Sequence, residues 1–170
     1  MSSLVDRLER MTVTVASPDG NIKAKADSER RTRFWLSDRD AFAAYDAETL
    51  ADQVAAVLRA LGEGRRRGIR QAYESHGRTV ADSSGPHWDA RRRGYRAALA
   101  EMEVRGKSHN GFIRLKTSGM LDDYRVKIHP AAVERLNAES FLAELYSAYR
   151  SLRSDHTQRR AALKREHLPR

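Results

Sequence analysis

The first half of the chain shows strand-like patterns followed by one helical pattern. Segments that are rich in β-branched residues or that alternate predict three short strands, at 12–15, 22–26 and 33–36. Apolar residues at helical spacing then predict a helix over 47–61, with Asp46 as its N-capping residue. Gly62 and Gly64 are expected to weaken this helix, because glycine has a low helix propensity, and the helix can resume over 65–73.

The second half repeats this order behind a longer leading helix. The apolar face of that helix consists of Trp88, Tyr95, Leu99 and Met102. The helix is expected to end before Gly106, and two strands are predicted after it, at 112–116 and 124–128. In the second of these strands, alternation places Arg125 and Lys127 on the outward side. Asn137 is expected to cap a last helix.

The two halves share one pattern. Residues 45–50 and 136–141 match without a gap at an offset of 91 residues, and the apolar positions downstream keep this register. The paired apolar positions are Leu50, Val54, Leu58 and Leu61 against Phe141, Leu145, Tyr149 and Leu152. The sequence therefore predicts an α+β protein made of two tandem units, at 1–74 and 87–170, joined by a linker at 75–86. Units of this size bury little apolar surface, so they are expected to pack on each other or on another subunit.

Positive charge is concentrated in the second half. Residues 1–85 hold 14 Lys and Arg against 13 Asp and Glu, whereas residues 86–170 hold 18 against 10. The net charge is thus +1 for the first half and +8 for the second, out of +9 in total. This asymmetry favours a polyanionic partner for the second half, although a solvated, arginine-rich surface would show the same composition.

Composition excludes several classes of chemistry. The chain has no cysteine, which rules out disulfides, a thiol nucleophile and a cysteine metal site. No apolar run reaches the length of a membrane span, and no signal peptide is recognisable, so a soluble cytoplasmic protein is expected. The six histidines are scattered, and neither a phosphate-binding loop nor a nucleophile elbow is present. We therefore expect no enzyme activity, no cofactor, no metal site and no small-molecule substrate.

The pattern of the second half resembles a known family. Residues 103–107, 111–116 and 124–130, with the helix that follows, resemble the YbaB/EbfC family of bacterial nucleoid-associated proteins. The resemblance implies a small antiparallel sheet flanked by helices, chains that pair as dimers, and binding of double-stranded DNA. This chain differs in holding two copies, which suggests an internal pseudo-dimer. It also has only a short leading helix in the first copy. The net charge of that copy is close to zero.

Arginines and lysines on helices are the candidate DNA-binding residues. The first group belongs to the leading helix of the second copy and its end: Arg91, Arg92, Arg93, Arg96, Arg105 and Lys107. The second group belongs to the terminal helix: Arg150, Arg153, Arg159, Arg160, Lys164 and Arg165. Two basic helices projecting from one small sheet could straddle a DNA duplex. Their guanidinium groups would contact phosphate oxygens bidentately, and such contacts carry no information about the base sequence. Alternatively, the arginine stems cover apolar seams while their charged ends stay in water.

Two functions remain open at this point. The leading hypothesis is a non-enzymatic DNA-binding protein of the nucleoid, with weak sequence preference. The alternative is a protein-interaction scaffold or secretion-associated adaptor, for which the near-neutral first copy and the exposure of Phe34 and Trp35 would be the basis. The partners expected are duplex DNA and a second copy or another protein, but not a membrane. Whether the two copies pair within one chain or between chains is left open.

Overall fold

The computed structural model describes residues 3–28, 31–78 and 89–169. The first unit contains α1 (Leu4–Glu9), β1 (Val13–Ala16), β2 (Ile22–Ala26), β3 (Thr32–Leu36), a 3-10 helix (Asp40–Ala44) and α2 (Ala47–Glu74). The second contains α3 (Ala90–Glu101), β4 (Glu103–Lys107), β5 (Ile113–Ser118), β6 (Arg125–Ile128), α4 (Pro130–Arg135) and α5 (Ala138–His167). The strands form two antiparallel three-stranded sheets, in the orders β1-β2-β3 and β4-β5-β6. The predicted α+β class is confirmed.

The repeat extends to the hairpins that precede it in sequence. In the first sheet, the buried Oγ of Ser17 accepts a hydrogen bond from the Ile22 N–H at 2.9 Å. In the second, the buried Oγ of Ser108 accepts the same bond from the Ile113 N–H, also at 2.9 Å. Both residue pairs lie 91 positions apart, as the helices do. The turn between the first two strands therefore has the same hydrogen bond at equivalent positions in both units.

The same correspondence holds where the long helices begin. The side chain of Asp46 accepts a hydrogen bond from the Thr49 N–H at 2.7 Å, and that of Asn137 accepts one from the Ser140 N–H at 2.8 Å. Both predicted caps are thus confirmed. Each cap satisfies a backbone donor that has no partner within its helix.

The long helices pack reciprocally across the two units. Helix α2 contacts β1 and β2 of its own sheet and also β6 of the other, while α5 contacts β4, β5 and β3. Ring pairs join the halves: Phe34 meets Tyr149 edge-on at 5.5 Å between centroids, and Phe42 lies 5.1 Å from Phe141. The buried apolar residues of both units belong to one cluster. This packing is compatible with the internal pseudo-dimer, which stays a prediction.

Helix α2 is continuous where the sequence predicts that two glycines weaken it. It runs without a break through Gly62 and Gly64 to Glu74. A Cβ at Gly62 would lie 2.7 Å from the Leu121 carbonyl oxygen, and one at Gly64 would lie 2.5 Å from Cγ1 of Val13. The glycines therefore allow Leu121 and Val13 to pack closely against α2, and the free energy of this packing outweighs the low helix propensity of glycine. The helix is thus continuous at the two glycines, and the predicted resumption over 65–73 lies within it.

A third strand replaces the predicted end of the leading helix. Helix α3 stops at Glu101, and residues 103–107 form β4, in which Val104 and Gly106 are buried. The predicted role of Trp88 lies outside the described residues, as does most of the predicted linker. The domain limits accordingly stay a prediction. Among the described residues, no helix combines the length and the apolar composition needed to cross a membrane.

Helix α5 covers the outer edge of β4. Three backbone N–H groups along this edge donate to side chains one helical turn apart: Arg105 to Asp155 at 2.9 Å, Lys107 to Ser151 at 3.2 Å and His109 to Ser147 at 2.9 Å. An uncovered edge strand would present these donors to another chain. The contact fixes the second sheet against α5 and leaves its other face open.

Candidate nucleic-acid interface

The open face of the second sheet carries six cations. Strand register aligns them in two cross-strand rows, Arg105–Lys116–Arg125 and Lys107–Arg114–Lys127. We call these six residues the cationic sheet face. Five of the six are exposed and Lys116 is partly buried, whereas the alternate residues Val104, Ile113 and Leu115 are buried on the other face.

The spacing of this face concentrates positive charge. Neighbouring strands lie about 4.8 Å apart and residues on one face repeat about every 7 Å, so the six Cα atoms occupy about 10 by 7 Å. Like charges directly opposite each other destabilise a sheet. A polyanion bound across the rows would remove this electrostatic repulsion, because each phosphate would neutralise a cation that otherwise repels its neighbours.

Glu103 is the carboxylate that the three strands place on this face. Its Oε2 lies 2.9 Å from Nζ of Lys116, and its Oε1 accepts a hydrogen bond from Arg105. Side-chain hydrogen bonds, the stronger effect from Lys116 and the next from Arg105, hold the pKa of Glu103 below its usual value. It therefore stays ionised at neutral pH and neutralises part of one row.

Removal of this carboxylate is expected to strengthen DNA binding. Glu103→Gln keeps the shape of the side chain and releases Arg105 and Lys116 for phosphates. We expect the affinity for a 20-base-pair duplex to rise about threefold to fivefold at 100 mM salt, the order of one surface ion pair. Fluorescence anisotropy measures it. An unchanged or lower affinity would remove Arg105 and Lys116 from the interface.

The first sheet also presents a basic open face, despite the neutral composition of its unit. Register aligns Lys25 with Arg33, and Lys23 with the partly buried Trp35. Strands β1, β2 and β3 contain no carboxylate. The acidic residues of the near-neutral first unit therefore lie outside the strands of this sheet.

Helices α3 and α5 form one antiparallel pair. A Cβ at Gly94 would lie 3.6 Å from Nδ1 of His167, and Nε of Arg160 donates to the Tyr95 hydroxyl at 3.2 Å. The expected picture of two projecting basic helices is thus replaced by a single packed ridge. The N-terminal end of α3 and the C-terminal end of α5 carry basic residues at one end of this ridge: Arg91, Arg92, Arg93, Lys164 and Arg165.

Some of the predicted arginines already have carboxylate partners. Arg92 lies 3.6 Å from Asp89, Arg159 lies 3.0 Å from Asp155, and Arg105 pairs with Glu103. Exposed pairs of this kind contribute little to stability, so a phosphate can replace the carboxylate at small cost.

The twelve predicted residues do not form one surface. Arg105 and Lys107 belong to the cationic sheet face, and five others lie at the end of the ridge described above. Arg150 and Arg159 lie on the exposed side of α5, where Arg150 stands 5.8 Å above the Tyr146 ring. Arg96, Arg153 and Arg160 line a cleft between the units. Sequence reasoning missed Arg114, Lys116, Arg125 and Lys127, although the strand alternation placed Arg125 and Lys127 outward.

Comparisons with family models, curated proteins and solved structures gave no match to this chain. The resemblance to the YbaB/EbfC family therefore stays a prediction. Within the described ranges, no group of three or more metal-ligating side chains is close enough to hold an ion. The expectation that the protein is not an enzyme also stays a prediction.

Proposed function

We propose that the protein binds double-stranded DNA through its phosphates, with weak sequence preference and without catalysis, as a nucleoid-associated protein. The observation that carries this proposal is the cationic sheet face, where six cations stand in two rows and Glu103 is the one carboxylate within the three strands, while Glu101 and Asp123 lie beside Lys116 and Arg125 at one end. Guanidinium groups meet phosphate oxygens bidentately, and lysines add point charges. Contacts of this kind supply affinity and carry no sequence information.

The rigidity of the sheet supports this function. Backbone hydrogen bonds fix the strands, and α5 fixes the outer edge of β4, so the backbone positions of the charged residues are set before DNA arrives. Preorganised groups lose less entropy on binding. Strands β4, β5 and β6 contain no aromatic residue, whereas surfaces for single strands use aromatic stacking. Duplex DNA is therefore favoured over a single strand.

Salt dependence tests the proposal. If the sheet face neutralises four to six phosphates, the logarithm of the association constant should fall against the logarithm of salt concentration with a slope of about −4 to −5. The measurement is an anisotropy titration of two unrelated 20-base-pair duplexes between 50 and 250 mM salt. Both duplexes should bind alike. No binding at 50 mM, or binding that ignores salt, would contradict the proposal.

A second candidate function is supported by Trp35. This partly buried side chain lies on the open face of the first sheet, where its aromatic ring could contact a protein partner. Phe34, by contrast, packs against Tyr149 between the units and is not available. A defined partner that is lost with Trp35→Ala, but retained when the cationic sheet face is reversed in charge, would favour the scaffold.

A further inference from the structure

A cleft of about 630 Å³ lies between the two units. Helices α2, α3 and α5, strand β1 and the turn that follows β5 all contribute to its lining. Its volume falls within the range of pockets that hold small organic ligands. None of the residues of the cationic sheet face lines it.

The charge of this cleft is strongly one-sided. Six arginines line it: Arg65, Arg66, Arg70, Arg96, Arg153 and Arg160. Asp27 is the one carboxylate among the described residues of the lining. Arginine stays protonated at any physiological pH, and a concave site with charge of one sign concentrates the opposite ion. The arginines come from three different helices, so the fold itself brings them together.

A buried phenol, Tyr124, lies in the lining of the cleft together with arginines of both units. Tyr124 is 3% exposed, and burial raises the pKa of its hydroxyl, with the neighbouring Tyr149 adding to the rise. Arg153 of α5 and Arg66 of α2 lie near enough to oppose that rise. The phenol therefore stays protonated in a cleft that arginines from both units line. A protonated phenol can donate a hydrogen bond to an anion.

The wall formed by the turn after β5 is held in place from several sides. The buried His156 donates from Nε2 to the Gly119 carbonyl at 2.9 Å, and the Gly119 N–H donates to the Met102 carbonyl at 2.8 Å. Leu121 has a φ of 55°, an uncommon left-handed conformation for a bulky residue. Such residues concentrate at ligand sites, where the surrounding structure maintains them.

We propose that this cleft binds a phosphorylated small molecule of nucleotide size. The phosphates would pair with Arg66 and Arg153, and the organic part would pack on apolar lining residues such as Leu61, Ile69 and Met120. This inference goes beyond DNA binding and uses different residues. It also differs from the expectation of no small-molecule substrate, because a bound ligand requires no reaction.

Equilibrium dialysis with labelled ATP, and separately with pyrophosphate, tests the proposal on the full chain. We expect ATP to bind with a dissociation constant below 1 mM at 50 mM salt, and more tightly than pyrophosphate. Arg66→Gln/Arg153→Gln should weaken ATP binding about 100-fold, the order of two lost charge-assisted hydrogen bonds. The matched control, Arg39→Gln/Arg135→Gln at exposed positions outside the cleft and both sheets, should stay within about twofold of the wild type.

Three outcomes would overturn the proposal: no ATP binding by the wild type, equal affinity for ATP and pyrophosphate, or equal weakening in the cleft variant and the control. Thermal unfolding checks that the double variant folds. If it does not, the single variant Arg66→Gln, whose side chain is exposed on α2, replaces it, with an expected loss of about tenfold. DNA binding is measured separately on the same proteins, so failure of one function does not imply failure of the other.

Discussion

An alanine at Gly106 is expected to lower the free energy of unfolding by about 3 kcal/mol or more. The added Cβ would lie 2.5 Å from the Ala148 carbonyl oxygen, 2.6 Å from Cβ of Leu152 and 2.7 Å from its backbone nitrogen. These atoms belong to the interior of α5 and cannot move without displacing the helix. The hydrogen bonds from the edge of β4 to α5 would weaken together with the packing.

Gly94→Ala is the matched control for this substitution. Among the residues that the structure describes, its Cβ would contact only Nδ1 of His167, at 3.6 Å, which is an ordinary distance. Because Gly94 lies within α3, alanine should leave stability unchanged or raise it by up to about 1 kcal/mol. Urea unfolding followed by circular dichroism measures both variants. Wild-type stability in the Gly106 variant would mean that α5 does not lie against β4 as described.

Reversal of charge on the cationic sheet face should have the largest effect on DNA binding. Arg114→Glu/Lys127→Glu converts two cations of one row into carboxylates that repel phosphate. We expect the affinity for a 20-base-pair duplex to fall at least about 100-fold at 100 mM salt, with the salt slope shallower by about 2. Both side chains are exposed, so the stability should change by less than about 0.5 kcal/mol.

The control for net charge is Arg39→Glu/Arg135→Glu. Both arginines are exposed and lie outside the two sheets, at the 3-10 helix and in α4. This variant changes the total charge by the same amount and should lose only a few-fold in affinity. Equal losses in the two variants would show that binding depends on net charge alone, with no defined interface on the second sheet.

Much of the fold could be predicted from local patterns. The repeat at an offset of 91 residues marks the equivalent helix caps Asp46 and Asn137, because capping and apolar spacing are local properties of sequence. The boundaries that failed depend on contacts between distant segments. Gly64 lies inside α2 because Val13 packs against it, and Gly106 lies inside a strand because α5 crosses it closely. Neither contact has a sequence signal.

The candidate site was predicted less well, for a physical reason. Charge runs such as 91–93 are visible along the chain, whereas the cationic sheet face is assembled across strands. Arg114 and Lys127 are neighbours only through the register of β5 and β6. Alternation within one strand indicates which residues point outward, but the cross-strand rows require the pairing itself. The cleft likewise requires the packing of α2 against the second unit.

We propose that duplex DNA lies on the open face of the second sheet. The most direct measurement is nuclear magnetic resonance mapping of backbone amide shifts as an unlabelled 12-base-pair duplex is added to the ¹⁵N-labelled protein. We predict that the largest shifts cluster on β4, β5 and β6, at residues such as Arg105, Arg114 and Lys127, and disappear at high salt. Shifts confined to α3 and α5, or no shifts at low salt, would contradict the claim.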